Sequence, residues 1–260
     1  MAADPRRAGR GGAALMLLLA VETATPQVGV ALWGPDGLLS STRLAGGRRH
    51  GEALAPAIAA ALASAGAAAR DLTGLAVDVG PGLFTGLRVG LATVKALGDA
   101  LDLPVVGLPS LQVLAEPHRR QPHLVAAVVD ARRGEVFRAL YRPGPDGFDE
   151  VAAPDVLAPA ALAAELGERR EPVLAVGDGA RRYAGELLGG AGAPVEVGSP
   201  VEVGGPLEAH PDPAVLAGMA VPVLAAGGGQ EAATLRPCYL RPADVRIGWE
   251  QRPTPAGTRG

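Results

Sequence analysis

The residues able to do chemistry in this chain gather where apolar runs meet glycine. Leu75, Ala76, Val77 and Val79 form a strand-like run that ends in Gly80-Pro81-Gly82. A helical pattern follows, with Leu87, Leu91, Val94, Leu97 and Leu101 spaced four, three, three and four apart. Strand, glycine turn and helix N-terminus together make a potential anion cradle, and Thr85 is placed to supply the N-cap oxygen. Two further apolar runs end in an acid, Glu22-Thr23 and Asp130, and a third ends in Gly177-Asp178-Gly179. Gathered around a nucleotide, such residues would serve ATP-dependent phosphoryl transfer, with a carboxylate on Mg²⁺. The spacing argues against this. Gly80, Gly82 and Gly86 do not give G-x-G-x-x-G, and no Gly-Lys-Ser/Thr follows. Asp130 has no convincing second carboxylate beside it in its own segment.

Other chemistries fare no better. The four histidines are His50, His118, His123 and His210. Catalytic zinc commonly takes two histidines at i and i+4 on one helix face. His118 and His123 are five apart, and neither H-x-x-x-H nor H-E-x-x-H occurs, so a metallopeptidase is disfavoured. A serine hydrolase lacks its G-x-S-x-G elbow. Gly86 and Gly90 stand four apart on one helix face, where each costs about 1 kcal/mol against Ala. Such a face lets another backbone approach, either within the same domain or from a partner helix.

Composition narrows the class. At 48% hydrophobic and 20% charged, the chain suits a globular protein, and with 3% aromatics its core must be Ala, Val and Leu. The net charge is −3, and the arginine pairs at 48–49, 119–120, 132–133, 169–170 and 181–182 are spread along the chain. They read as solvated surface rather than a nucleic-acid footprint. A single cysteine, Cys238, excludes an internal disulfide and fits a reducing cytoplasm. Residues 1–15 read as a disordered Arg/Gly leader, with Met16 a possible natural start, and no apolar run reaches the roughly 20 residues of a membrane span.

The elements fall into two α/β units. Strands at 16–21, 28–32 and 38–44 precede a helix at 51–65, the opening strand and helix, and a strand at Val105-Val106. A second unit runs through strands at 124–129 and 136–141, a helix at 160–166, a strand at 173–176, a short helix at 183–188 and a last helix at 213–224. Residues 16–110 are expected as an N-terminal domain, 111–240 as a C-terminal one, and 241–260 as a flexible tail.

On these residues the chain resembles the bacterial TsaB (YeaZ) family, a subunit of the machinery that makes threonylcarbamoyladenosine in tRNA. The matching segments are LLLAVETAT (17–25), RRHGEALAPAI (48–58), GPGLFTGLRVG (80–90), DARRGEVFRALY (130–141), VGDGA (176–180) and RPCYLRP (236–242). The resemblance implies the actin-like ATPase (ASKHA, RNase H-like) fold, two α/β domains each with a β-meander. It implies a non-catalytic scaffold that pairs with a TsaD-like transferase through the helices after His50 and after Thr85. A TsaE-like ATPase joins the complex, tRNA is met only through the complex, and the chain alone forms a homodimer. The implied interface residues are His50, Glu52, Leu54, Ile58, Leu62, Gly86, Arg88, Gly90, Val94 and Leu97. No tightly bound cofactor or metal is implied, with ATP or ADP possible only at the partner interface. Glu22, Thr23, Gly80, Gly82, Thr85 and Asp130 become a vestigial phosphate loop. Glu22 stands where the family has Asp, and Leu83 where it has Ser, which counts against nucleotide binding. The alternative is an actin-like ATPase or small-molecule kinase.

Overall fold

The computed structural model describes residues 16–45, 50–145, 147–169, 171–189 and 201–241. The expectations for the leader, for Arg48-Arg49 and for the tail beyond residue 241 fall outside them.

The first sheet has the order β3-β2-β1-β4-β5. It comprises β1 (Leu18–Glu22), β2 (Gln27–Gly34), β3 (Gly37–Ala45), β4 (Gly74–Asp78) and β5 (Val105–Leu108). β1 and β4 are buried on both faces, which is why they read as apolar runs up to the acid that ends each strand. Helices α1 (His50–Ser64) and α2 (Phe84–Leu101) cover one face, packing Leu54, Ile58, Leu87 and Val94 onto Leu19, Val21, Leu75 and Val77. β2 alternates large and small residues because helices lie on both sides. Its valines face α1, while Gly29 lies under Pro213, where a Cβ would come within 3.0 Å of the proline ring.

The second sheet has the order β10-β9-β6-β7-β8. Its strands are β6 (Leu124–Arg132), β7 (Glu135–Gly144), β8 (Gly147–Leu157), β9 (Val173–Val176) and β10 (Val201–Val203). One face carries α4 (Pro159–Gly167), α5 (Asp178–Arg182) and α6 (Ala184–Leu187), and the other carries α3 (Ser110–Ala115). Both sheets repeat one plan. An antiparallel three-strand meander is followed by a parallel pair, β1 with β4 and β6 with β9. The meander's third strand, β8, the short strand β10 and the short α3 and α5 were not foreseen. β8 is half-polar, with Asp149, Glu150 and Pro154 interrupting its pattern.

Past the expected boundary at residue 110 the chain does not stay with the second sheet. Helix α7 (Pro213–Ala225) returns to the first sheet, where Leu216, Ala217 and Ala220 cover Leu18, Ala20, Ala31 and Ala76. The chain then crosses once more. Leu235 is buried in the first core, Cys238 N–H donates to the Val79 carbonyl at 2.7 Å, and Leu240 packs into the second core. No helix among the described residues is long and apolar enough to cross a membrane.

Candidate functional site

The end of β1 is the expected phosphate position, and the chain itself fills it. Thr23 is buried, and its hydroxyl donates to the Gly86 carbonyl at 2.9 Å. Leu83 N–H, in the amide position a phosphate would use, donates instead to the Ala24 carbonyl at 2.7 Å. A Cβ on Gly82 would lie 2.2 Å from the Ala24 carbonyl oxygen, one on Gly86 2.0 Å from the Thr23 carbonyl oxygen, and one on Gly90 2.2 Å from the Thr23 hydroxyl. The glycines spaced four apart therefore let α2 settle onto the β1–β2 turn. Of the two readings open from sequence, internal packing holds, and Gly86 and Gly90 are removed from the partner-facing set.

Burial removes others from it. Leu54, Ile58, Leu62 and Val94 are core residues, and Leu97 packs against the same core. The apolar periodicity that suggested an interface was the stripe facing the sheet. His50 is buried too, its Nε2 hydrogen-bonded to the Thr25 carbonyl at 2.8 Å. Glu52 and Arg88 remain exposed, and the Arg88 guanidinium lies 3.8 Å from the Phe84 ring centre. Beyond them the outward faces of α1 and α2 carry Ala55, Ala59, Ala63, Ala92 and Ala96, all exposed. Thr85 is exposed within the first turn of α2. Leu83 occupies the N-cap with no side-chain cap bond, so Thr85 does not cap this helix.

The structure brings together a carboxyl pair that sequence reasoning missed. β1 and β4 run parallel with Val21 opposite Val77, so the next step sets Glu22 beside Asp78. Both are fully buried. Glu22 Oε1 accepts from Ala24 N–H at 2.7 Å, while Asp78 Oδ1 accepts from the Ser110 hydroxyl at 2.5 Å and from Gly80 N–H at 2.8 Å. The second oxygen of each, Glu22 Oε2 and Asp78 Oδ2, has no partner. Burial, and then the charge of Asp78, holds the Glu22 carboxyl well above the usual carboxylate range. Burial pushes Asp78 up to about 7, against the hydrogen bonds from Ser110 and Gly80. The signal lay in LAVDVG, where one acid interrupts an apolar run.

The second half repeats the device with different chemistry. Asp130 is buried, and Arg132 and Arg182 both reach its Oδ2, at 3.0 and 3.4 Å. Asp178 Oδ1 accepts from Asp130 N–H at 2.9 Å, and burial pushes its carboxyl up to about 6. Gly177 has φ +111°, and a Cβ there would lie 2.0 Å from the Val128 carbonyl oxygen. A carboxylate already held by two arginines is poorly placed to hold Mg²⁺. Among the described residues no three His, Cys, Asp or Glu side chains gather as a metal-ligand set.

Known proteins resemble the chain in sequence and in fold. The family model for TsaD, tRNA N6-adenosine threonylcarbamoyltransferase, matches residues 43–177, more than half of the chain. The chain is 33% identical over 163 residues to the tRNA threonylcarbamoyladenosine biosynthesis protein TsaB of Bacillus subtilis, an alignment covering 62% of this chain and 71% of that protein. It is 34% identical over 135 residues to TsaB of Escherichia coli, covering 51% and 58%. The solved structure of YeaZ from Pseudomonas aeruginosa superposes with a TM-score of 0.72 at 28% identity, covering 87% of this chain and all of that one.

Proposed function

The chain belongs to the TsaB (YeaZ) family, and on that premise we propose that it is the non-catalytic scaffold of tRNA threonylcarbamoyladenosine synthesis. Its partner in this reading is a TsaD-like transferase, which does the chemistry. One observation carries the reading: the first-turn amide of α2 and the small residues behind it are closed onto Thr23 and Ala24. A nucleotide phosphate would have to displace the chain's own carbonyl there. The departures at Glu22 and Leu83 support the same view. The match to the TsaD model fits a shared ancestral fold, since that model spans parts of both sheets here.

The partner is assigned to the outward faces of α1 and α2, with Glu52 and Arg88 at the polar rim and Ala59 and Ala92 where the helices would meet it. Small exposed residues permit close helix approach at little entropic cost. A second copy of the chain would use the same face when the transferase is absent. The test mixes the purified chain with the transferase of the same organism and measures complex formation by size-exclusion chromatography. Ala59→Arg should abolish the complex and leave the melting temperature within about 2 °C. Unimpaired pairing by Ala59→Arg would move the interface elsewhere. Turnover of Mg-ATP by the chain alone would favour the kinase alternative.

A further inference from the structure

The turn between β1 and β2 is where both covering helices fasten to the first sheet. Thr23 gives its hydroxyl to the Gly86 carbonyl at 2.9 Å, and the Ala24 carbonyl accepts from Leu83 N–H at 2.7 Å, both at the start of α2. The Thr25 carbonyl is hydrogen-bonded to His50 Nε2 at 2.8 Å, at the start of α1. Glu22 shapes this turn, its Oε1 accepting from Ala24 N–H at 2.7 Å. Asp78 does the same for the loop before α2. Its Oδ1 accepts from Gly80 N–H at 2.8 Å and from the Ser110 hydroxyl, which ties that loop to α3. Two carboxyls thus set the conformation of both segments on which α2 rests.

Val21 and Val77, opposite each other in the parallel pair, face the helices, so Glu22 and Asp78 are neighbours on the other side of the sheet. Strands so paired lie about 4.8 Å apart. Both side chains are fully buried, and Glu22 Oε2 and Asp78 Oδ2 have no partner. Around them stand the Gln27 side chain and Thr25 N–H on Glu22, Ser110 and Gly80 on Asp78, and the Cys238 thiol of the crossing segment beside Asp78. Among the described residues no arginine or lysine acts on either carboxyl, and His50 meets the turn at the Thr25 carbonyl. Two buried anions at this spacing repel. A single proton removes one charge and supplies the donor that the orphan oxygens lack. Without it, the carboxylates regain water only if the turn that carries Glu22 moves.

We propose that Glu22 and Asp78 form a proton-operated latch that regulates partner docking: a proton on the pair keeps the β1–β2 turn clamped to α1 and α2, and its loss opens the turn and unseats the starts of both helices. The link to a transferase rests on the scaffold reading above; the latch itself does not. Its direction follows from the environment. Burial holds the Asp78 carboxyl at about 7 in the closed fold, against 3.8 once the opened turn returns it to water. The closed state prefers the proton, so closure weakens as pH rises from about 4 and its proton-linked part is gone above about pH 7. Burial, and then Asp78, pushes the Cys238 thiol upward, so it stays neutral over this range.

Hydrogen exchange read by mass spectrometry at pH 5.5, 6.5 and 7.5, corrected for the intrinsic rate, tests the latch on the chain alone. Protection of residues 80–90 should fall roughly tenfold across that range, one proton setting a ceiling of about tenfold per pH unit. Residues 124–129 of β6 should keep theirs within about twofold. Asp78→Asn should flatten the dependence at 80–90, and so should Glu22→Gln, so that a folding failure in one variant leaves the other to decide. Constant protection at 80–90 in the parent would overturn the latch, as would an equal loss in β6, which is unfolding of the whole chain. Affinity for the transferase of the same organism, measured by calorimetry at the same pH values, is read as the ratio of parent to Asp78→Asn, in which the partner's own titrations cancel. That ratio should fall roughly fivefold from pH 5.5 to 7.5, and a constant ratio would overturn the regulation of docking. Absence of pairing at every pH would remove the scaffold reading alone, and the exchange result would still decide the latch.

Discussion

Replacing Asp78 by asparagine should stabilise this protein at pH 8 and do little at pH 4.5. The Asp78 carboxyl titrates at about 7 in the fold, against an ordinary value of 3.8. A raised value means that the folded state prefers the protonated form. The associated stability is full below about pH 4, is lost as pH rises, and is gone above about pH 7. At about 1.36 kcal/mol per pH unit, the span from 3.8 to about 7 corresponds to about 4 kcal/mol. The asparagine side chain would keep the acceptor oxygen for Ser110 and Gly80 and would carry an amide to give to Glu22. That span is already net of the bonds from Ser110 and Gly80, which favour the charged form. The gain at pH 8 is therefore up to about 4 kcal/mol, a melting-temperature rise of up to about 8–16 °C for a chain of this size. Urea denaturation of both proteins at pH 4.5, 6, 7 and 8 measures the difference, to which relief of Glu22 from the Asp78 charge adds with the same sign. A variant equally destabilised at every pH would refute the reasoning, because the carboxylate would then be a net contributor to the fold.

Gly86→Ala should destabilise the protein by about 2 kcal/mol despite its intrinsic helix gain of about 1 kcal/mol, since the new methyl meets the Thr23 carbonyl; a stabilised variant in denaturant titration would show that α2 can move off the turn. The chain alone should hydrolyse Mg-ATP more slowly than about 1 s⁻¹, the low end of ordinary turnover, and a coupled assay above that rate would reopen the kinase alternative. Cys238 should react sluggishly with thiol reagents at pH 8, because burial and then Asp78 push its thiol upward, and Asp78→Asn should speed it; an unchanged labelling rate would mean that access, not charge, limits the reaction.

Much of the architecture was legible because burial writes itself into apolar runs. The strands β1, β4 and β6 and the helix α2 declared themselves by periodicity and by their glycine and proline stops. What misled was the meaning of that periodicity. The stripe of Leu54, Ile58, Leu62 and Val94 looks the same whether it meets a sheet or a partner, and only three-dimensional packing tells which. The family resemblance pointed to helices α1 and α2, but half of the exposed residues on them are alanines, which carry little signal in sequence. Asp78 escaped notice because one acid in an apolar run becomes informative only when a parallel neighbour sets Glu22 beside it. The arginine cluster was invisible for the same reason, its members lying far apart along the chain.

The return of α7 to the first sheet has a consequence for how the protein is made. One face of that sheet, including Leu18, Ala20, Ala31 and Ala76, has no cover until residues 213–225 arrive. Synthesis proceeds at roughly 5–20 residues per second, so the nascent sheet waits on the order of ten seconds after β5 for its lid. During that interval the ribosome-bound chain exposes a bare apolar face. The whole second sheet must emerge before the first can close.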